Sequence, residues 1–122
     1  MAEEQDGVLP LTLIRIPGPV GPVLRCSGDL TVVTAEALRR HLALLQAGSP
    51  RSVVVNLRGV RKIDADGATA LLETARALKD VPVVVVADPD RLFEALPGCC
   101  FRRELPIYPT ESDAAAALDQ AS

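Results

Sequence analysis

Aromatic side chains are almost missing from this 122-residue sequence: Phe93, Phe101 and Tyr108 are the whole set, and there is no Trp. Proteins that grip single-stranded nucleic acid stack bases on such rings, so that mode is excluded. An excess of positive charge is missing too. Thirteen Lys and Arg stand against sixteen Asp and Glu, a net charge of −3, whereas a nucleic-acid surface needs a basic face to displace counterions. The one basic cluster, Arg58, Arg61 and Lys62, is offset by Asp64 and Asp66 beside it. Long apolar runs are lacking as well. The longest, Val81 to Ala87, has seven residues and contains Pro82, far short of the roughly 18 that span a bilayer. No membrane insertion is expected. The start, Met1-Ala2-Glu3-Glu4-Gln5-Asp6, is acidic where a secretory leader is basic and then apolar, so a cytoplasmic location is expected.

Catalytic chemistry is poorly supplied. His41 is the only histidine, and it falls in the middle of a helical stretch with no carboxylate to orient it, so no Ser-His-Asp or Cys-His arrangement assembles. Three cysteines, Cys26, Cys99 and Cys100, make no disulfide framework and lack the second pair that would complete a tetrahedral metal site. They read as reduced thiols, with a redox or soft-metal role for the adjacent Cys99 and Cys100 as the alternative. Asp64 and Asp66 could be a carboxylate pair or a Mg²⁺ site, but no phosphate-cradling glycine loop accompanies them. The chain is therefore read as a non-enzyme, with no metal and no cofactor.

What is present is a core. Apolar residues make up 48% of the chain and the mean hydropathy is +0.23, enough for one folded domain. Residues 1–10 are polar and unpatterned and read as a flexible arm before a domain at 11–122. Leu11 to Ile16 and Val23 to Cys26 read as two strands joined by the Pro- and Gly-rich stretch 17–22, the second broken by Gly28-Asp29. From Thr34 the period turns helical, with Ala35, Leu38, Leu42 and Leu45 on one side, Thr34 as cap and Gly48 with Pro50 as stop. Ser52 to Leu57 and Val83 to Ala87 are short β-branched runs, suited to strands buried on both faces. Between them Ala68, Leu71, Leu72, Ala75 and Leu78 form a second helical stripe. Asp88-Pro89 opens a short helix carrying Leu92, Phe93 and Leu96, and Leu105 to Tyr108 is an edge strand. Thr110-Glu111-Ser112-Asp113 resembles a capping box before a final helix. The order β-β-α-β-α-β-α-β-α implies an α/β domain with a mixed, mostly parallel sheet of four to five strands.

The segment Val53 to Leu72 is the most informative: a buried strand ends, and Asp64-Ala65-Asp66-Gly67 opens an amphipathic helix. With Gly28-Asp29-Leu30-Thr31-x-x-Thr34-Ala35 upstream, it resembles the STAS domain of anti-sigma factor antagonists and sulfate-transporter tails. The family patterns are Gly-Glu-Leu-Asp-x-x-Thr-Ala and, after a strand, Asp-Ser-Ser-Gly-Leu. The resemblance implies a regulator whose partner is an anti-sigma factor that is also a serine kinase. In that branch the serine before the glycine is phosphorylated, and phosphorylation breaks the contact.

Here Asp66 stands at that serine's position, Ala65 at the other serine's, and Thr31 where the first motif carries aspartate, while Asp64 and Gly67 are retained. Asp66 is then a helix N-cap, a fixed negative charge imitating phosphoserine, or both. The expected partner surface is Asp64, Ala65, Asp66, Gly67 and Thr69 together with Gly28, Asp29 and Thr31. Ser27, Thr31 and Thr69 are hydroxyls that could accept phosphate, but near helix starts they read first as local caps. The rival roles are a STAS subunit regulating an ABC transporter ATPase, or a scaffold of a stress-signalling assembly.

Overall fold

The structure, a computed structural model, describes residues 9–48, 50–78, 81–88 and 105–121. Its elements are β1 (Thr12–Ile16), β2 (Val23–Leu30), α1 (Ala35–Ala47), β3 (Val53–Ile63), α2 (Ala65–Ala77), β4 (Val83–Val86), β5 (Ile107–Tyr108) and α3 (Glu111–Ala121). The five strands form one sheet in the order β1-β2-β3-β4-β5. Only β1 runs antiparallel to its neighbour, and the other three pairings are parallel. The expected mixed, mostly parallel α/β fold is what forms.

Strand alternation sorts the core into two layers. Leu24 and Cys26 of β2, Val53, Val55 and Leu57 of β3, and Val83 and Val85 of β4 face α1 and α2, which contribute Leu38, Leu42, Leu45, Ala68, Leu71 and Leu72. Val23, Val54, Val84 and Val86 face the other way, onto Ala114 and Leu118 of α3. All four valines of β4 are buried, which is why that strand is continuously apolar rather than alternating. The start of α3 is tied to the sheet by charge as well. Arg25 donates from Nε and Nη2 to the two carboxylate oxygens of Glu111 at 2.9 and 3.0 Å, and Asn56 Nδ2 donates to Glu111 Oε2 at 2.6 Å.

Two strands are longer than the sequence suggests. β2 does not break at Gly28-Asp29 but continues to Leu30, and β3 continues past Leu57 to Ile63. Gly28 adopts φ 98°, and the β2–β3 register shifts between Arg25 and Ser27 and again between Gly28 and Asp29. These irregularities absorb the glycine within the ladder, so it bends the strand without ending it. Gly28 is held there because Pro10 and Leu11 pass against it where a Cβ would stand. Leu9 and Pro10, read as part of the arm, lie exposed against β2, where the Leu9 carbonyl accepts from Asp29 N–H at 3.4 Å. Beyond Asp88, the helix expected through Leu96 lies outside the described residues, as do Cys99 and Cys100.

Candidate partner-binding site

Parallel pairing brings the two motifs to one end of the sheet. Leu30 ends β2 beside Ile63 at the end of β3, and Asp64 N–H donates to the Leu30 carbonyl at 3.2 Å. Gly67 completes the approach. A Cβ on it would clash with the Leu30 carbonyl oxygen and lie 2.6 Å from the Leu30 carbonyl carbon and 3.0 Å from Thr31 N. Only a residue without a side chain lets the α2 start lie against the β2–α1 turn this closely.

Helix α2 is capped by Asp64, not Asp66. Asp64 has extended backbone angles, and its Oδ1 accepts from Gly67 N–H at 2.7 Å. Asp66 is the second residue of the helix, past the position from which a side chain can fold back onto the first free N–H groups. Its carboxylate is exposed in the first turn, at the positive end of the helix dipole. Ala65 and Thr69 are exposed beside it, and Thr69 Oγ1 donates to the Ala65 carbonyl at 2.8 Å.

The turn between β2 and α1 is polar on the inside. Thr34 Oγ1 accepts from Thr31 N–H at 2.9 Å and donates to the Asp29 carbonyl at 2.6 Å. Thr34 sits at the N-cap position of α1, yet its hydroxyl is used backward in this turn and caps nothing. Thr31 Oγ1 accepts from Val33 N–H at 3.2 Å, and the Thr31 carbonyl accepts from Ala35 N–H at 2.9 Å. Thr31 is buried. Asp29 is fully shielded from solvent: Arg61 grips it with Nε on Oδ1 at 3.0 Å and Nη2 on Oδ2 at 2.8 Å, and Leu9 N–H donates to Oδ2 at 2.9 Å. The Arg61 fork, with the Leu9 N–H second, holds the Asp29 carboxyl below its ordinary pKa.

The eight sequence-proposed residues therefore converge, with different exposures. Ala65, Asp66 and Thr69 face solvent, and Gly28 and Asp64 are partly covered. Asp29, Thr31 and Gly67 are interior and support the surface from beneath. Ser27, read as a cap near a helix start, is instead an exposed residue within β2. Three residues at this end of the sheet were not singled out in the sequence. Val32 and Val33, at the tip of the turn, are 64% and 73% exposed. A pair of consecutive β-branched apolar residues where a turn is normally polar was the available signal. Arg61, read only as part of an offset basic cluster, is the partner of Asp29.

Among the described residues no three His, Cys, Asp or Glu side chains gather as metal ligands would, and no helix is long and apolar enough to cross a membrane. His41 is half-buried, its Nδ1 3.0 Å from the Ala37 carbonyl of its own helix. What this end of the sheet offers is a surface of small, apolar and acidic groups.

Residues 1–114 match the STAS domain family. The chain belongs to that family. An anti-sigma factor antagonist from Mycobacterium paratuberculosis has a similar structure, with TM-score 0.76 and 30% identity, covering 89% of this chain and 94% of that one. The phosphorylated form of the Bacillus cell fate determinant SpoIIAA matches with TM-score 0.58 and 18% identity over 88% of this chain and 98% of that one. The murine anion transporter Slc26a9 matches with TM-score 0.65 and 13% identity over 93% of this chain but only 22% of the transporter. The last two show the shared fold. A comparison with curated proteins finds no match. As a STAS domain, the chain resembles anti-sigma factor antagonists.

Proposed function

We propose that this STAS domain is a non-catalytic regulator that binds an anti-sigma factor of the serine-kinase type, and that it is not switched by phosphorylation at the usual position. The observation that carries this reading is the exposed Asp66 carboxylate in the first turn of α2, on a helix start tied to the β2–α1 turn through Gly67 and Leu30; the motif resemblance puts the family's phosphoacceptor serine at this position. A carboxylate offers no hydroxyl to a kinase, and it sets one negative charge where phosphoserine would carry about −1.5 to −2. Likeness to the M. paratuberculosis antagonist over most of both chains supports the partner class.

The polar groups of the turn are hydrogen-bonded inside it, so little of the turn is left to order when a partner binds. The test is calorimetric titration of the chain into each anti-sigma kinase of the source organism. One saturable complex should form, with the same affinity in the presence and absence of Mg-ATP. Absence of binding to every such kinase would refute the reading and favour the transporter-ATPase role.

A further inference from the structure

The two sides of the sheet are covered unequally. On one side α1 buries Leu38, Leu42 and Leu45, and α2 buries Leu71 and Leu72. On the other, among the described residues of α3, Ala114 and Leu118 are the buried pair, set over Val23, Val54, Val84 and Val86. One leucine and one alanine remove little apolar surface from water. A helix of 11 residues is also marginal without docking.

The polar ties of α3 are concentrated at its start. Arg25 and Asn56 grip Glu111, and Arg58 Nη1 donates to the Pro109 carbonyl at 2.9 Å. Thr110 Oγ1 accepts from Asp113 N–H at 3.0 Å, closing the first turn. The Arg25–Glu111 pair is half open to water, its side chains 54% and 28% exposed, so it is an adjustable tie rather than a buried anchor.

We propose that α3 is a detachable helix. It leaves the valine face and rejoins it while the α1–α2 layer stays folded, and the grip on Glu111 sets how often. Such an opening breaks the contacts of one lightly packed element and keeps the larger core, so it is easier than unfolding the domain. It uncovers Val23, Val54, Val84 and Val86 on the side of the sheet away from α2, so the helix start that carries Asp66 keeps its geometry. The inference does not depend on the docking role proposed above.

Hydrogen exchange of the native full chain, followed by NMR at increasing low urea, measures the opening. The amides of Ala115 to Leu118 should share one protection factor, at least tenfold below that of Val53 to Val55, with a shallower urea dependence. Glu111→Gln should lower the protection of the α3 amides at least threefold. Leu38→Val, in the other layer, should lower the protection of Val53 to Val55 and leave that of α3 unchanged. A side-chain probe checks the same event. Val54 and Cys26 are each 3% exposed, on opposite faces of the sheet. In Val54→Cys the new thiol should be alkylated in the native protein at least tenfold faster than Cys26.

Exchange of α3 in step with Val53 to Val55, in rate, urea slope and response to Leu38→Val, would overturn the detachable helix. So would equal alkylation of the two thiols, or a protection gradient rising steadily toward Glu111, which is end fraying instead of detachment. Unchanged α3 exchange in Glu111→Gln would overturn the role given to the grip on Glu111.

Discussion

The Cα of Gly67 lies against the main-chain carbonyl of Leu30, leaving no room for even one methyl group between α2 and the end of β2. Replacing it by alanine would improve helix propensity by about 1 kcal/mol in an isolated helix. Here the new methyl must push backbone against backbone, and overpacking of that kind costs about 1–3 kcal/mol. Net of the propensity gain, Gly67→Ala should therefore lower the melting temperature by a few degrees, up to about 10 °C for a domain of this size. Circular dichroism melts check the sign, which propensity alone would reverse.

A second expectation separates the two acidic residues at the head of α2. Asp64 makes the capping bond to Gly67 N–H, so Asp64→Ala should cost about 1 kcal/mol. Asp66 touches only the helix dipole, and Asp66→Ala should cost a few tenths to about 1 kcal/mol at low salt, shrinking as salt is added. Asp66→Ser removes the same charge and should cost a similar amount. Urea titrations at two ionic strengths distinguish these cases. Equal losses for Asp64→Ala and Asp66→Ala that salt does not change would contradict the cap assignment.

The pH dependence follows from two gripped carboxylates. Asp29, held by Arg61, and Glu111, held by Arg25, both have pKa values lowered in the folded state. A lowered folded pKa adds stability above the unfolded value of about 4, and that stability is lost as pH falls from there through the folded pKa. Melting temperature should be flat near neutrality and drop on acidification below about pH 5. In Asp29→Asn it should already be lower at pH 7, and the acid drop should be smaller. An acid limb of wild-type steepness in that variant would show that the Asp29–Arg61 pair does not titrate with folding.

Cys26 gives a chemical check on the core. It is 3% exposed, and burial pushes its thiol up to about 12. The native protein at pH 8 should leave Cys26 unmodified by an alkylating reagent, and denaturant should release it at the rate of a free thiol. Peptide mapping by mass spectrometry after timed quenching reads this directly. Rapid native-state alkylation of Cys26 would mean that the α1–α2 face opens far more easily than its packing implies.

The fold was readable where pattern and physics coincide. The stripe Ala35, Leu38, Leu42 and Leu45 and the valine runs 53–55 and 83–86 each have one reasonable structural answer, and all are buried. Strand ends were not readable, because Gly28 and Gly59 look like breakers while their actual role depends on a neighbour in space. Gly28 lies under Pro10, and Gly59 lies against the Cys26 carbonyl, where a Cβ would come within 2.7 Å. The cap went to Asp64 for a similar reason. Asp64 and Asp66 are chemically alike, and only the end point of β3 at Ile63 decides which one precedes the helix. The pairing of Asp29 with Arg61 spans 32 positions and left no local trace in the sequence.

The most direct test of the central claim is the affinity of the wild-type chain for its anti-sigma kinase with and without Mg-ATP, measured beside Asp66→Ser. With no hydroxyl at position 66, the wild-type affinity should be the same under both conditions. Asp66→Ser should bind without nucleotide and be released as phosphate enters at Ser, by added charge and desolvation. Release of the wild type by ATP, with the phosphate mapped to exposed Thr69 or to Thr31, would contradict the account, because the switch would then have moved rather than been lost.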